Sequence, residues 1–405
     1  MKAHDVNVIR EAMDFQLARS RYPDEFPVLP EVPAARYFDP GFAALEREHI
    51  WLKTWLMVGH ESEFPETGSY RVINKLDRSV IISRGKDGEL RAFHNSCRHR
   101  ASALLLEPQG KTQRITCPYH AWGYGLDGEL IVVPDAHDFP CLNKGEMGLV
   151  PVRCEIWRGL VYLNFDDDAQ SLADFMAPMA AQTTGFPMEK LVVKDRYTIE
   201  VDCNWKVAFD NFLEIYHVRF CHPQSLAPYL NSQSFVVSLF ENGHSRFATR
   251  KQQTDSLFAY TGLTVSDQAG QTFNEYTIAL PTFPNSFYAL DSAGFNYLTF
   301  WPLAPGKSVM EGTLFGWPAD SEDDKAYWAS MRTAVDGILA EDMHLFAGIQ
   351  NSMQNGVIPK LTLGYQERAL YWYHEEIDRR IGPERIPEAL RITPVLAGQE
   401  QRRGM

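Results

Sequence analysis

NSCRHRASALLLEPQGKTQRITCPYHAWGY, residues 95–124, carries two pairs of soft metal ligands, Cys97-x-His99 and Cys117-x-x-His120, separated by residues 100–116. Each pair offers one thiolate and one imidazole from a short loop. Two cysteines on one iron and two histidines on the other form the ligand set of a mixed-ligand [2Fe-2S] cluster, whose potential lies well above that of an all-cysteine cluster. A tetrahedral zinc ion also accepts Cys2His2. Its usual spacing pairs cysteine with cysteine and histidine with histidine, so one of each per loop favours the cluster.

Working outward, residues from about 55 to 165 read as short strands joined by turns. SVIISRG and ELRAFHN flank Lys86-Asp87-Gly88, and Asp127-Gly128 separates the loop after His120 from ELIVVP. GLVYLNF reads as a closing strand, and DDDAQSLADFMAPM as a polar linker with a short helix. Residues 1–45 form a helical and then proline-spaced arm, because RYPDEFPVLPEVPAARYFDP holds too many prolines to continue a helix. A helix over FAALEREHIWLKTW follows. The division expected is therefore the arm at 1–45, a metal-loop β-domain at 46–165 and a second domain at 166–405. In the last, strands such as DRYTIEVDC, FNYLTFWPL and VMEGTLFGW alternate with two helices.

One of these helices begins at Asn204, a plausible N-cap, and carries WKVAFDNFLEIYHVRF. Asp210, Glu214 and His217 fall at i, i+4 and i+7 on one face of it. His222 lies about 140° round from His217, so the two imidazoles converge only if the helix ends or unwinds, and Pro223 supplies an end. Imidazoles with a carboxylate are the usual ligands of non-haem Fe(II). The carboxylate candidate is on the late helix, about 323–355, where Val335, Ile338, Leu345 and Ile349 define an apolar stripe and Asp342 occupies a position on it. A buried carboxylate needs a cationic partner, iron or an arginine. Glu341 and His344 read as solvated.

Composition narrows the partners. With 39 basic and 52 acidic residues the net charge is −13, which argues against nucleic acid or an anionic membrane surface. No apolar run approaches about 18 residues and no leader pattern is present, so a cytoplasmic location is expected. Cys141, Cys154, Cys203 and Cys221 lack disulfide-like spacing and read as buried thiols. No GxGxxG follows a strand, so electrons must come from another protein.

CRHR and CPYHAWGYGLDGEL resemble the cluster motif of the oxygenase components of Rieske non-haem iron oxygenases, with Ala121 where glycine is usual. NWKVAFDNFLEIYHVRFCHP and AEDMHLFAGIQ resemble the two segments that hold the mononuclear iron in the same family. The resemblance implies an α+β fold, a Rieske β-domain joined to a helix-grip catalytic domain whose antiparallel sheet wraps a long helix. It implies a cluster on Cys97, His99, Cys117 and His120, Fe(II) on His217, His222 and Asp342, and Asn211 close to the metal. Glu214, with Asp210, would link the two kinds of centre between subunits of a head-to-tail homotrimer. Glutamate at the bridging position occurs in members acting on quaternary ammonium compounds, where aspartate is more usual. A separate NAD(P)H-dependent reductase, with or without a ferredoxin, would supply electrons, and O2 and a small organic molecule would be the substrates. Ring hydroxylation of an aromatic compound is the first substrate reading and oxidative demethylation of a quaternary amine or methyl ether the second. A non-catalytic electron carrier or hydrophobic-ligand binder is the rival class. Aromatic strands around FAYTG, FPNSFYALD and GFNYLTFW would line the cavity.

Overall fold

The computed structural model describes residues 3–252, 273, 275–291 and 293–399. Two compact units emerge, one of residues 52–174 and one of residues 1–51 with 175–405. The amino-terminal segment thus groups with the carboxy-terminal part of the chain. Its helix spans Ala3–Ala18, and Val32–Pro33 (β1) pairs with Lys360–Leu361 (β19). Buried Arg36 completes the attachment through Asp378, at 2.7 Å.

The unit 52–174 holds a seven-stranded sheet of β2 (Leu56–His60), β3 (Ser69–Lys75), β4 (Arg78–Arg84), β5 (Leu90–His94), β6 (Gln109–Lys111), β10 (Pro151–Trp157) and β11 (Leu160–Asn164). A small second sheet is made of β7 (Ile115–Thr116), β8 (Gly123–Tyr124) and β9 (Leu130–Val132). The expected turns are where the glycines put them. Gly128 has φ +88°, and a Cβ there would come within 2.4 Å of Phe93, so both the turn and the packing beneath it require glycine. Ile81, Phe93, Leu104, Ile115, Trp122, Tyr124 and Leu149 form the core under the two ligand loops.

In the other unit β12 (Val192–Val201), β13 (Val236–Leu239), β14 (Ser245–Arg250), β15 (Tyr276–Thr282), β16 (Ser286–Asp291), β17 (Gly294–Ala304) and β18 (Lys307–Gly316) make one antiparallel sheet, ordered β12-β18-β17-β16-β15-β14-β13. The long helix Glu322–Gln354, capped by Ser321 Oγ accepting from the Asp324 amide at 3.1 Å, packs against it. The α+β architecture read from the sequence is the one observed. Among the described residues no helix is long and apolar enough to cross a membrane.

Three local expectations need correction, and a fourth falls on residues the structure does not describe. The helix after Asn204 covers only Trp205–Asp210, and a second short helix, Val218–Cys221, follows a turn. Phe212 and Leu213 donate to the carbonyls of Phe209 and Asp210, closing the first helix with tighter i−3 bonds. The buried stripe of the long helix is Trp328, Met331, Val335, Leu339, Asp342, Phe346, Gln350 and Met353, whereas Leu345 and Ile349 are 40% and 43% exposed. Spacings of three and four through Leu339 and Phe346 turn the face by one residue from the expected one, and Asp342 remains on it. Cys141 is exposed, not buried, because it lies in the loop between β9 and β10; Cys154 and Cys221 are half-buried and Cys203 is buried. Residues 258–262, the first of the three aromatic stretches, lie outside the described residues.

Candidate metal centres

The two ligand loops, one between β5 and β6 and one between β7 and β8, are built alike. Cys97 N–H donates to Ser102 O at 2.8 Å and Ala101 N–H to Cys97 O at 2.9 Å; Cys117 N–H donates to Trp122 O at 2.8 Å and Ala121 N–H to Cys117 O at 3.1 Å. The tight return puts Ala101 and Ala121 in the left-handed region, with φ +57° and +58°. Left-handed backbone accounts for the glycine usual at position 121, since a Cβ there costs on the order of 1 kcal/mol. Cys97 and Cys117 are buried, and the half-buried His99 and His120 rings lie 4.7 Å apart.

Several features fit a cluster. His99 Nδ1 is buried without a hydrogen-bond partner among the described residues, its ring stacked on Trp122 at 4.8 Å and 6°. Burial works against charge on Cys117, but the backbone N–H groups of Tyr119 and His120, with hydrogen bonds from Cys97 and Ser102, outweigh it and lower the thiol pKa. Tyr124 Oη lies 3.3 Å from Cys97 Sγ and accepts from the Arg98 amide at 3.0 Å, so beside a cluster-bound thiolate, which has no proton to give, its O–H would be the donor. Donors to cluster sulfurs raise the potential of such a centre. The sequence reading did not single out Tyr124; its place on a strand directly after the second loop was the available signal.

In the larger unit the turn at 211–217 brings together what a continuous helix would have spread along one face. Glu214 accepts the backbone N–H groups of Tyr216 and His217 and the His217 Nδ1–H. It thereby replaces acceptors that an unbroken helix would have supplied. The second helix ends at His222, as the following proline suggested. His217, His222 and Asp342 each offer a ligand atom within 4.8 Å of the others. Asp342 is 3% exposed, and its Oδ1 lies 3.0 Å from His222 Nε2 and 3.8 Å from His217 Nε2, without a partner of hydrogen-bond geometry among the described residues. Three lone-pair donors facing one point, one of them an orphaned buried carboxylate oxygen, suit a divalent cation.

Both imidazoles are oriented from behind. His217 uses Glu214, and His222 Nδ1 lies 2.6 Å from Glu341 Oε2, which also accepts from Ser225 Oγ. Each leaves Nε2 for the metal. Burial works against a charge on His222, but the neighbouring carboxylates of Asp342 and Glu341 prevail and raise its pKa. Glu341 is therefore not a solvated bystander: the next position on a helix is about 100° round, enough for one carboxylate to face the metal and the other a ligand. Asp210 goes elsewhere. It accepts from Tyr37 Oη at 2.5 Å in a buried network with His374 and Arg36, and burial pushes its pKa up to about 7.

The three ligands open on a cavity of about 210 Å³ between the sheet and the long helix. Phe212, Phe247, Phe287, Leu298, Val335 and Leu339 make its walls, and Asn211 and Glu214 also border it.

A Rieske [2Fe-2S] domain model matches residues 54–143, and the model of the ring hydroxylating alpha subunit catalytic domain matches 188–383. The carnitine monooxygenase oxygenase subunit of Escherichia coli (strain K12) is 36% identical over 195 residues, 47% of this chain and 52% of that protein. The 2-aminobenzenesulfonate 2,3-dioxygenase alpha subunit of Alcaligenes sp is 29% identical over 345 residues, 80% of this chain and 84% of that one. Among solved structures, the quaternary ammonium Rieske monooxygenase CntA, in complex with an inhibitor, shares the fold with a TM-score of 0.77 at 22% identity, over 90% of this chain and 99% of that one. The chain belongs to the Rieske non-haem iron oxygenases, as an oxygenase-component alpha subunit. It spans about half the length of the first curated relatives that it matches.

Proposed function

We propose that this chain is the terminal oxygenase of a multicomponent system, taking electrons from a separate reductase and using O2 to oxidise a small organic substrate. The observation that carries the reading is the His217, His222 and Asp342 triad opening on an apolar cavity in a chain that also carries the Cys97, His99, Cys117 and His120 loops. When bound, the cluster supplies single electrons and the ferrous ion activates O2. The chain's own part is to hold and to exclude. Glu214 and Glu341 accept the Nδ1 protons, keeping both Nε2 lone pairs on the cavity side. Phe212, Phe287 and Leu298 keep water from the space where substrate lies.

For the substrate class, we favour a methylated ammonium compound. Glu214 stands at the position where quaternary ammonium oxygenases of the family carry glutamate, and the carnitine monooxygenase subunit is among the relatives. Ring hydroxylation is the second reading, supported by the phenylalanine-rich walls and by the aminobenzenesulfonate dioxygenase relative. A homotrimer in which Glu214 of one chain faces the cluster of its neighbour completes the proposal, as does a cytoplasmic location. The test is incubation of the iron-loaded protein and a ferredoxin reductase with methylated amines and aromatic acids under 18O2. Label in an aldehyde or hydroxylated product is expected. Substrate-independent NADH consumption with no labelled product across the panel would remove the oxygenase reading.

A further inference from the structure

Buried charge inside an apolar cavity is costly, and this cavity contains a pair that iron binding does not use. Lys251, just beyond β14, and Asp291, at the end of β16, both border it, with side chains 9% and 11% exposed. Lys251 Nζ donates to Asp291 Oδ2 at 2.7 Å and to the carbonyl of Phe273 at 2.8 Å. An ammonium has three N–H donors, and these two partners use two of them. Removing each ion of such a pair from water is costly, so a purely structural tie between these strands would be better made of apolar side chains. Thr249 on β14, Thr277 on β15 and Asn296 on β17 add polar atoms to the wall on the strands around the pair. Asn296 Nδ2 donates to Tyr197 Oη at 2.7 Å, and among the described residues its Oδ1 is buried without a partner.

We propose that Lys251 determines substrate specificity by giving its third N–H to an anionic head group, a carboxylate or sulfonate, on the molecule that the cavity holds. The substrate is then amphiphilic, with an apolar or methylated body against Phe212, Phe287 and Leu298 and its anion at Lys251. Asp291 holds the ammonium aimed before the substrate arrives, and Asn296 Oδ1 accepts a neighbouring N–H or O–H of the ligand. This rests on the reading of the cavity as the substrate site, and it holds for either substrate class.

The experiment is calorimetric binding to the iron-loaded protein under anaerobic conditions, with probes in charged and uncharged pairs. L-carnitine is set against its methyl ester, and 2-aminobenzenesulfonate against 2-aminobenzenesulfonamide. At least one acid should bind about tenfold to a hundredfold more tightly than its neutral partner, the scale of one charge-assisted hydrogen bond. Lys251→Arg should keep that preference, and the double substitution Lys251→Met with Asp291→Asn, which leaves no buried charge unpaired, should abolish it. Equal binding within both pairs, no binding by either acid, tighter binding of the neutral partners, or an unchanged preference in the double variant would each overturn the proposal. A preserved acid preference with no O2 uptake would instead count against the oxygenase reading and leave this one standing.

Discussion

Two carboxylates that touch no metal set the geometry of the two that matter most at the residue scale, the imidazoles of His217 and His222. Glu214 receives one Nδ1 proton and Glu341 the other, so each ring has its tautomer and its angle decided before iron arrives. Glu341→Gln keeps the volume and removes the charge. It should weaken mononuclear iron binding by about 10–100-fold while the visible spectrum of the cluster stays as it was. Competition with a ferrous chelator, followed by iron analysis, measures this, and unaltered retention would show that Glu341 does not position His222. The candidate ligands themselves were legible, because cysteine and histidine pairs are rare enough for their spacing to speak. Glu341 was not, since its role depends on Ser225 and His222 arriving beside it from a different segment.

At the scale of elements, the break at residues 211–217 decides what each acidic residue can do. Periodicity placed Asp210, Glu214 and His217 on one helical face, yet the helix closes at Asp210 and only Glu214 reaches His217. Asp210 instead meets Tyr37, on the amino-terminal segment, in a setting where burial favours the neutral acid despite the opposing pull of the Tyr37 hydrogen bond, Lys206 and Arg36. Its folded pKa of about 7 lies above the ordinary value of 3.8. The contribution of this group to stability is therefore full below about pH 4 and is lost as pH rises to about 7. Asp210→Asn should remove that loss, so the apparent melting temperature of the variant relative to the parent should rise between pH 5 and pH 8, by the equivalent of a few kcal/mol. Parallel pH profiles would take Asp210 out of this account. The hydrogen-bonding cost of ending a helix early is met here by Glu214, and nothing in a hydrophobic pattern announces that a side chain will replace a backbone acceptor.

For the whole molecule, the proposed trimer makes Glu214 a link between chains as well as a brace for His217. Glu214→Ala should retain the cluster and weaken iron binding about as Glu341→Gln does, yet after reloading with excess ferrous ion, oxidation of its reduced cluster in a single turnover with O2 and substrate should still nearly stop. Stopped-flow absorbance at the parent rate would remove the bridge, and a monomeric mass of the parent in solution would remove the trimer.

The candidate ligands and the α+β class were legible in the chain itself, because metal-binding side chains and turn glycines are local signals. Folding in three dimensions decided the rest. It assigned Glu341 to His222, sent Asp210 to Tyr37, and set Lys251 against Asp291 in the cavity wall. Each of these contacts joins segments distant along the chain, and the cost of burying a polar group is met only by whatever partner the fold delivers.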